Sequence, residues 1–89
     1  MSGGLYDITD IIGLITSQDH KDRMLGEYAE LSLRLERLGT MLTRHDNGTL
    51  DFEPACPIDL LKNQADIMAQ YKNILEERAI FEGIDLSIL

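Results

Sequence analysis

The sequence predicts an all-α fold in which a short N-terminal helix precedes a long antiparallel helical hairpin, and copies of the chain assemble as a homo-oligomer. Two long segments repeat apolar residues every three or four positions, which is the spacing of one helix face. A linker rich in turn-forming residues separates them. The chain has 89 residues, so its core is small, and oligomerisation is a common further source of stability at this size.

The short N-terminal helix is predicted over residues 5–15. Its apolar residues follow helical spacing: Leu5, Ile8, Ile11, Ile12 and Ile15. A helix of about ten residues is not stable alone in water. We therefore expect it to dock on the hairpin of its own chain or on another subunit.

The first long helix is predicted over residues 17–45. Six residues form a seam with heptad-like spacing along it: Met24, Tyr28, Leu31, Leu35, Leu38 and Leu42. Thr16 or Ser17 is expected to cap its start, and a turn signal that begins at Asp46 ends it. The seam is expected to face the second long helix.

The second long helix is predicted over residues 57–82. Pro57 suits its first turn, with Cys56 as the capping residue. Gly83 suits the left-handed conformation that often follows the last turn of a helix. The tail, residues 84–89, alternates apolar and polar side chains and is expected to lie extended along a neighbour. The whole chain, residues 1–89, is expected to be a single domain.

Two neighbouring stripes lie along the second long helix. The first stripe contains Leu60, Gln64, Ile67, Tyr71, Ile74, Arg78 and Phe81. The second stripe contains Leu61, Ala65, Met68, Leu75 and Ala79. One partner helix cannot cover both stripes, so we expect the remaining apolar surface to contact another subunit or the N-terminal segment.

The charge of the chain argues against several classes of protein. Sixteen acidic and eight basic residues give a net charge of −8, which disfavours binding to a DNA or RNA polymer. No apolar run approaches the roughly 20 residues that cross a bilayer, and no signal peptide is recognisable. A single cysteine excludes a disulfide framework within the chain. These features are typical of a soluble intracellular protein.

No group of residues suggests catalysis, a cofactor or a metal. His20, His45 and Cys56 match no zinc spacing, and none is placed beside a partner that would activate a nucleophile. We therefore expect a protein that is not an enzyme.

Polar side chains within the packing stripes are the more informative feature. Tyr28 and Tyr71 are either core aromatics with bonded hydroxyls or platforms for a stacked ligand. Gln64 and Arg78 interrupt an apolar stripe, where burial without partners is costly. They either pair with acids of a neighbouring subunit, or copies of Arg78 converge on an anionic ligand.

The segments EYAELSLRLERLGTML and CPIDLLKNQADIMAQYKNILEERAIFEGI resemble the phage anti-CBASS cyclic-nucleotide sponge family, whose helical hairpin also occurs in anti-Thoeris sponges. The resemblance implies a homohexamer that acts in the host bacterial cytoplasm. It also implies binding of cyclic dinucleotides such as cyclic GMP-AMP between protomers, without cleavage, so that CBASS effectors are not activated.

The same resemblance implies the site residues. Tyr28 corresponds to the aromatic that stacks on a base, and Arg44 corresponds to the basic residue that meets the phosphates. The family pattern has a lysine close to that place, where this chain has Thr43 followed by Arg44. Arg78 corresponds to a possible second site for cyclic trinucleotides near the symmetry axis. The alternative from another class is a helical hairpin that binds and inhibits a host protein and has no small-molecule ligand.

Overall fold

The computed structural model describes Ile11, Gly13 and residues 19–89. Two long helices account for most of this part of the chain: α1, His20–Asp46, and α2, Ile58–Glu82. A short 3₁₀ helix, Leu86–Ile88, follows α2. The all-helical hairpin predicted from the sequence is therefore confirmed. Of the predicted N-terminal helix, only Ile11 and Gly13 are within the described residues, and both are helical.

Polar contacts between the helices show that they run antiparallel. His20, at the start of α1, lies 3.6 Å from Glu82, at the end of α2. At the other end of the hairpin, the Asp46 carboxylate lies 3.3 Å from the Lys62 ammonium. The Lys62 hydrogen bond lowers the pKa of the Asp46 carboxyl group, as expected when a cation stabilises the charged form.

Of three helix caps predicted from the sequence, two are wrong and one is confirmed. The prediction that Thr16 or Ser17 caps α1 is wrong: Asp19 is the N-cap, and its side chain accepts a hydrogen bond of 2.9 Å from the Lys21 amide. The prediction that Cys56 caps α2 is also wrong.

Pro57 occupies the N-cap of α2, and the helix begins at Ile58 without a side-chain cap. Proline has no amide hydrogen to satisfy, so it fits the boundary itself as well as the first turn. At the other end, Gly83 is the C-cap with φ of 69°, which confirms the predicted left-handed turn. Its amide donates to the Ala79 carbonyl.

The buried core lies at the end of the hairpin that is distant from the interhelix loop. It consists of Ile11, Met24, Leu25, Ala29, Leu31, Leu75, Ala79, Ile84 and Leu89. Toward the loop, the seam residues Leu35 and Leu38 are only half-buried. Among the described residues, Ile11, Ile84 and Leu89 pack into the cluster at the far end, whereas Leu42, nearer the loop, is buried outside it.

The expectation of an extended tail along a neighbour is wrong for this chain. Residues Leu86–Ile88 form a 3₁₀ turn, and the Asp85 carboxylate accepts from the Ser87 amide at 2.9 Å. Ile84 and Leu89 are buried in the core of the same chain. The turn therefore folds the alternating apolar residues back onto the hairpin.

The two stripes of α2 have different surroundings. Every residue of the second stripe is buried or half-buried and faces the hairpin. Every residue of the first stripe is exposed, including Ile67 at 56%, Ile74 at 51% and Phe81 at 90%.

The described helices contain no stretch that is both long and apolar enough to span a bilayer.

Candidate functional site

The residues predicted to bind a ligand lie at opposite ends of the hairpin. Tyr28 and Arg78 are near the core end, whereas Thr43 and Arg44 are in the last turn of α1 beside the loop. Sixteen residues of helix separate Tyr28 from Arg44, which is about 24 Å along the axis. One small ligand cannot contact both residues of the same chain.

Tyr28 is half-buried between the helices and is not an open platform within one chain. Its hydroxyl donates a hydrogen bond of 2.5 Å to the Glu76 carboxylate. The Lys72 ammonium lies 5.6 Å from the centre of its ring, within the range of a cation–π contact. Burial, and next the Glu76 hydrogen bond, raise the pKa of Tyr28 to about 12. The interpretation of Tyr28 as a core aromatic with a bonded hydroxyl fits these contacts.

Tyr71 and Arg78 lie on the exposed first stripe and are engaged with acids. The Tyr71 hydroxyl donates to Glu27, and this hydrogen bond is the main cause of its raised pKa. Arg78 Nε lies 3.0 Å from the Glu82 carboxylate, one turn away on the same helix. Arg78 is thus at the surface and not in the hairpin core. A second subunit or a ligand can reach it there.

A shallow pocket beside Tyr71 has an unfavourable charge for an anion. It has a volume of about 260 Å³ and is lined by Glu27, Glu30, Leu31, Arg34 and Tyr71. Its single cation, Arg34, is already 3.8 Å from Glu30. Two carboxylates against one guanidinium disfavour a phosphate there.

A second concave surface, which we call the loop groove, lies at the other end of the hairpin and has the opposite charge balance. Its α1 side is formed by Glu36, Arg37, Thr40, Met41 and Arg44, and its loop side by Leu50 and Phe52. The volume of the loop groove is about 290 Å³. Two guanidiniums against one carboxylate make it the more favourable of the two pockets for an anion.

The loop is held against α1 by hydrogen bonds near Arg44. The Thr49 amide donates to the Arg44 carbonyl at 2.8 Å, and the Gly48 amide donates to the His45 carbonyl at 3.1 Å. Gly48 adopts a φ of 72°, a conformation that side chains other than glycine rarely adopt. This turn reverses the chain, so that Leu50 and Phe52 come back alongside α1.

Thr43 is exposed next to the loop groove but does not line it; Thr40, one turn earlier, does. The Thr43 carbonyl accepts a hydrogen bond from the Asn47 amide at 3.0 Å and so helps to end α1.

Across the part of the chain that the structure describes, no three His, Cys, Asp or Glu side chains are grouped as a metal site would require.

Sequence reasoning missed Arg37 and Phe52 as members of the same concave surface as Arg44. The spacing of Arg37 and Arg44 was available, because residues seven apart lie on the same face of a helix. Nothing local indicated that Phe52 would lie beside them, since its position depends on how the loop folds back.

Comparisons with known proteins identify a family for the chain. No curated protein and no solved structure matches it. The family model described as Sequestin matches residues 18–80, which include α1, the interhelix loop and nearly all of α2. The chain therefore belongs to the Sequestin family.

Proposed function

We propose that the protein binds cyclic dinucleotide second messengers such as cyclic GMP-AMP and sequesters them without cleavage. CBASS effectors in the host bacterial cytoplasm are then deprived of their activating signal. The family name, Sequestin, indicates a sequestering protein. The observation that supports an anionic ligand is Arg44, whose guanidinium faces an open groove and has no acidic partner among the described residues.

A phosphodiester is a suitable ligand for such an arginine. Charge-assisted hydrogen bonds from a guanidinium to phosphate are stronger than neutral ones and impose orientation. In a chain with a net charge of −8, a local cationic site can still hold a small anion, because screening in physiological salt confines most electrostatic effects to about 8 Å. Binding of this kind requires no catalytic group.

We also propose that the first stripe is a contact between copies in a homohexamer. Four large apolar side chains on it, Leu60, Ile67, Ile74 and Phe81, are more than half exposed, which is costly for an isolated chain. An antiparallel second copy centred on Tyr71 would place Gln64 opposite Arg78 and Ile67 within one residue of Ile74. The pattern of the stripe is thus close to self-complementary, as a two-fold interface requires.

Such a contact gives Arg78 a place in the assembly. Its side chain would lie at this interface, opposite Gln64 of the second copy, and we propose cyclic trinucleotides as the ligand of a second site that includes Arg78. The same exposed stripe favours the alternative function, in which the hairpin grips a host protein and has no small-molecule ligand.

Thermal unfolding with and without cyclic GMP-AMP distinguishes the two functions. Ligand at 100 times its Kd stabilises the folded state by about 2.7 kcal/mol, which raises the Tm of a domain of this size by about 10 °C or more. A mixture of AMP and GMP at the same concentration is the control. An unchanged Tm across a panel of cyclic dinucleotides would leave the protein-binding alternative.

Recovery of the ligand tests sequestration itself. After incubation, the complex is denatured by heat and the released nucleotide is measured by mass spectrometry. We expect intact cyclic GMP-AMP at the input amount. Linear or hydrolysed products that depend on the protein would show an enzyme instead.

A further inference from the structure

The loop groove contains the chemistry for a single nucleotide unit within one chain. We propose that Phe52 stacks on a base of the bound cyclic dinucleotide, that Arg37 and Arg44 together hold the adjacent phosphate, and that Glu36 selects the base. This inference rests on the proposed function and assigns the principal base-stacking contact to the loop rather than to Tyr28.

The two arginines are placed to act together. They are seven residues apart on α1, so they lie on one face about 10 Å apart along the axis, a distance that two long side chains can close. Neither guanidinium has an acidic partner among the residues that the structure describes. Arg34 and Arg78, by contrast, lie within 3.8 Å and 3.0 Å of Glu30 and Glu82. Arg37 and Arg44 are therefore free to receive a phosphate without first losing an ion pair.

Phe52 offers an open aromatic face next to these arginines. Its side chain is 55% exposed, although it lies on a loop that is hydrogen-bonded to the end of α1. Exposed aromatic surface is unfavourable in water, and covering it with a base is worth about 1 to 3 kcal/mol. Tyr28, in comparison, is half-buried and has Lys72 over its ring. A base can reach Phe52 without displacing a neighbour.

The size of the loop groove limits how much ligand it can hold. At about 290 Å³ it is at the lower limit of small-molecule sites, which are roughly 300 to 1,000 Å³. This space suits one base with its phosphate. The remainder of a cyclic dinucleotide must extend out of the loop groove toward solvent or another subunit.

Glu36 is the one acid on the α1 side of the loop groove. An ionised carboxylate only accepts hydrogen bonds. It can therefore accept from the exocyclic amino group of adenine, guanine or cytosine, whereas uracil has carbonyl oxygens instead of an amino group and can donate only through its ring N3–H. We infer a preference for bases with an exocyclic amino group.

Calorimetric titration with cyclic GMP-AMP tests the assignment of Phe52 and Arg37. Phe52→Ala is expected to weaken binding by about 5- to 100-fold, the equivalent of one lost stacking contact, and Phe52→Tyr to bind within twofold of the original chain. Arg37→Ala is expected to weaken binding about tenfold or more. Arg34→Ala removes a guanidinium of the same helix that is outside the loop groove, and it should leave the affinity unchanged.

The outcomes separate this inference from the proposed function. If the original chain binds no cyclic dinucleotide, the proposed function fails and this inference fails with it. If the original chain binds but Phe52→Ala and Arg37→Ala bind equally well, only this inference is overturned. A transferred NMR contact between the Phe52 ring and base protons, measured on the unsubstituted protein, is expected as well; contacts to Tyr28 alone would overturn the assignment.

Base selection is tested with Glu36→Gln. The original chain is expected to prefer cyclic di-GMP or cyclic di-AMP over cyclic di-UMP by about tenfold or more, the cost of an unpaired polar contact. Glu36→Gln, which can donate as well as accept, should reduce this preference. Equal binding of all three ligands by the original chain would overturn the role of Glu36.

Discussion

At the scale of single residues, the Tyr28 hydroxyl has a strongly shifted pKa. It is half-buried, it donates to Glu76, and its pKa is raised to about 12 from an ordinary value of 10.0. A group whose pKa is raised by folding stabilises the folded state at every pH below its unfolded value. That contribution is lost as the pH rises from 10 to 12, because the unfolded chain then ionises first.

We predict that the free energy of unfolding decreases between pH 10 and pH 12 by about 1 to 2 kcal/mol more in the original chain than in Tyr28→Phe. Urea unfolding at pH 9.5 and at pH 11.5 measures the difference. Tyr71→Phe is the matched control, because Tyr71 is exposed and bonds to a different acid. An identical pH dependence in Tyr28→Phe would show that folding does not raise the pKa of the Tyr28 phenol.

Arg44 has a specific expected role at the same scale. Removing its side chain should weaken the affinity for cyclic GMP-AMP by about tenfold or more, because a hydrogen bond to a charged group contributes about 1.5 to 3 kcal/mol. Arg44→Lys keeps the charge and loses the forked geometry, so an intermediate affinity is expected. Calorimetry measures both variants, and an Arg44→Ala affinity equal to that of the original chain would remove Arg44 from the site.

At the scale of helices and turns, glycines at two positions have opposite effects. Gly83 ends α2 with φ of 69°, whereas Gly39 is within α1, and a Cβ at Gly39 would meet nothing within 4 Å. A side chain at position 83 strains the left-handed backbone. A side chain at position 39 reduces the conformational entropy that the unfolded chain loses on folding.

We predict that Gly83→Ala lowers the free energy of unfolding by about 1 kcal/mol, and that Gly39→Ala raises it by about 0.5 to 1 kcal/mol. Chemical denaturation of both variants in one buffer measures the pair, and each variant serves as the control for the other. Changes of the same sign would contradict the assignment of these two conformations.

The helices were largely predictable from sequence because their signals are local. Apolar spacing predicted both long helices, and Asn47, Gly48 and Gly83 marked turns by their own conformational preferences. The N-caps were not predictable, because more than one residue near each helix start was a candidate, and the choice among them depends on packing.

The candidate site was only partly predictable for a related reason. The family resemblance drew attention to Arg44 at the end of α1, and the structure places that residue beside a concave surface. Phe52 joins it through a loop reversal, which has no short-range periodic signal. Arg37, between Glu36 and Leu38, looked like an ordinary surface charge, since adjacent charges of opposite sign are common on exposed helix faces.

At the scale of the whole molecule, some apolar residues of α2 are buried in the core and others are exposed on the first stripe. Leu75 is fully buried, whereas Ile74, the preceding residue, is 51% exposed on the first stripe. Substitutions at these neighbouring positions should therefore affect different properties: folding of the chain in one case and its assembly in the other.

We predict that Leu75→Ala costs about 2 to 5 kcal/mol of stability, the usual cost of truncating a core leucine. Ile74→Asp should retain helical circular dichroism at high concentration but shift the mass measured by light scattering toward smaller species, because a charge in an apolar interface opposes association. Asn73→Asp adds the same charge at an exposed position outside the first stripe and is the matched control. An unchanged mass for Ile74→Asp would exclude the first stripe as a contact between copies.

The location of Phe52 on a connecting loop has a consequence for how such proteins diversify. The main buried cluster lies at the far end of the hairpin, so substitutions or length changes between Thr49 and Pro57 leave its contacts intact. Under the proposed function, variation of this segment alone would change which ligand the protein captures, while the two helices serve as a constant framework.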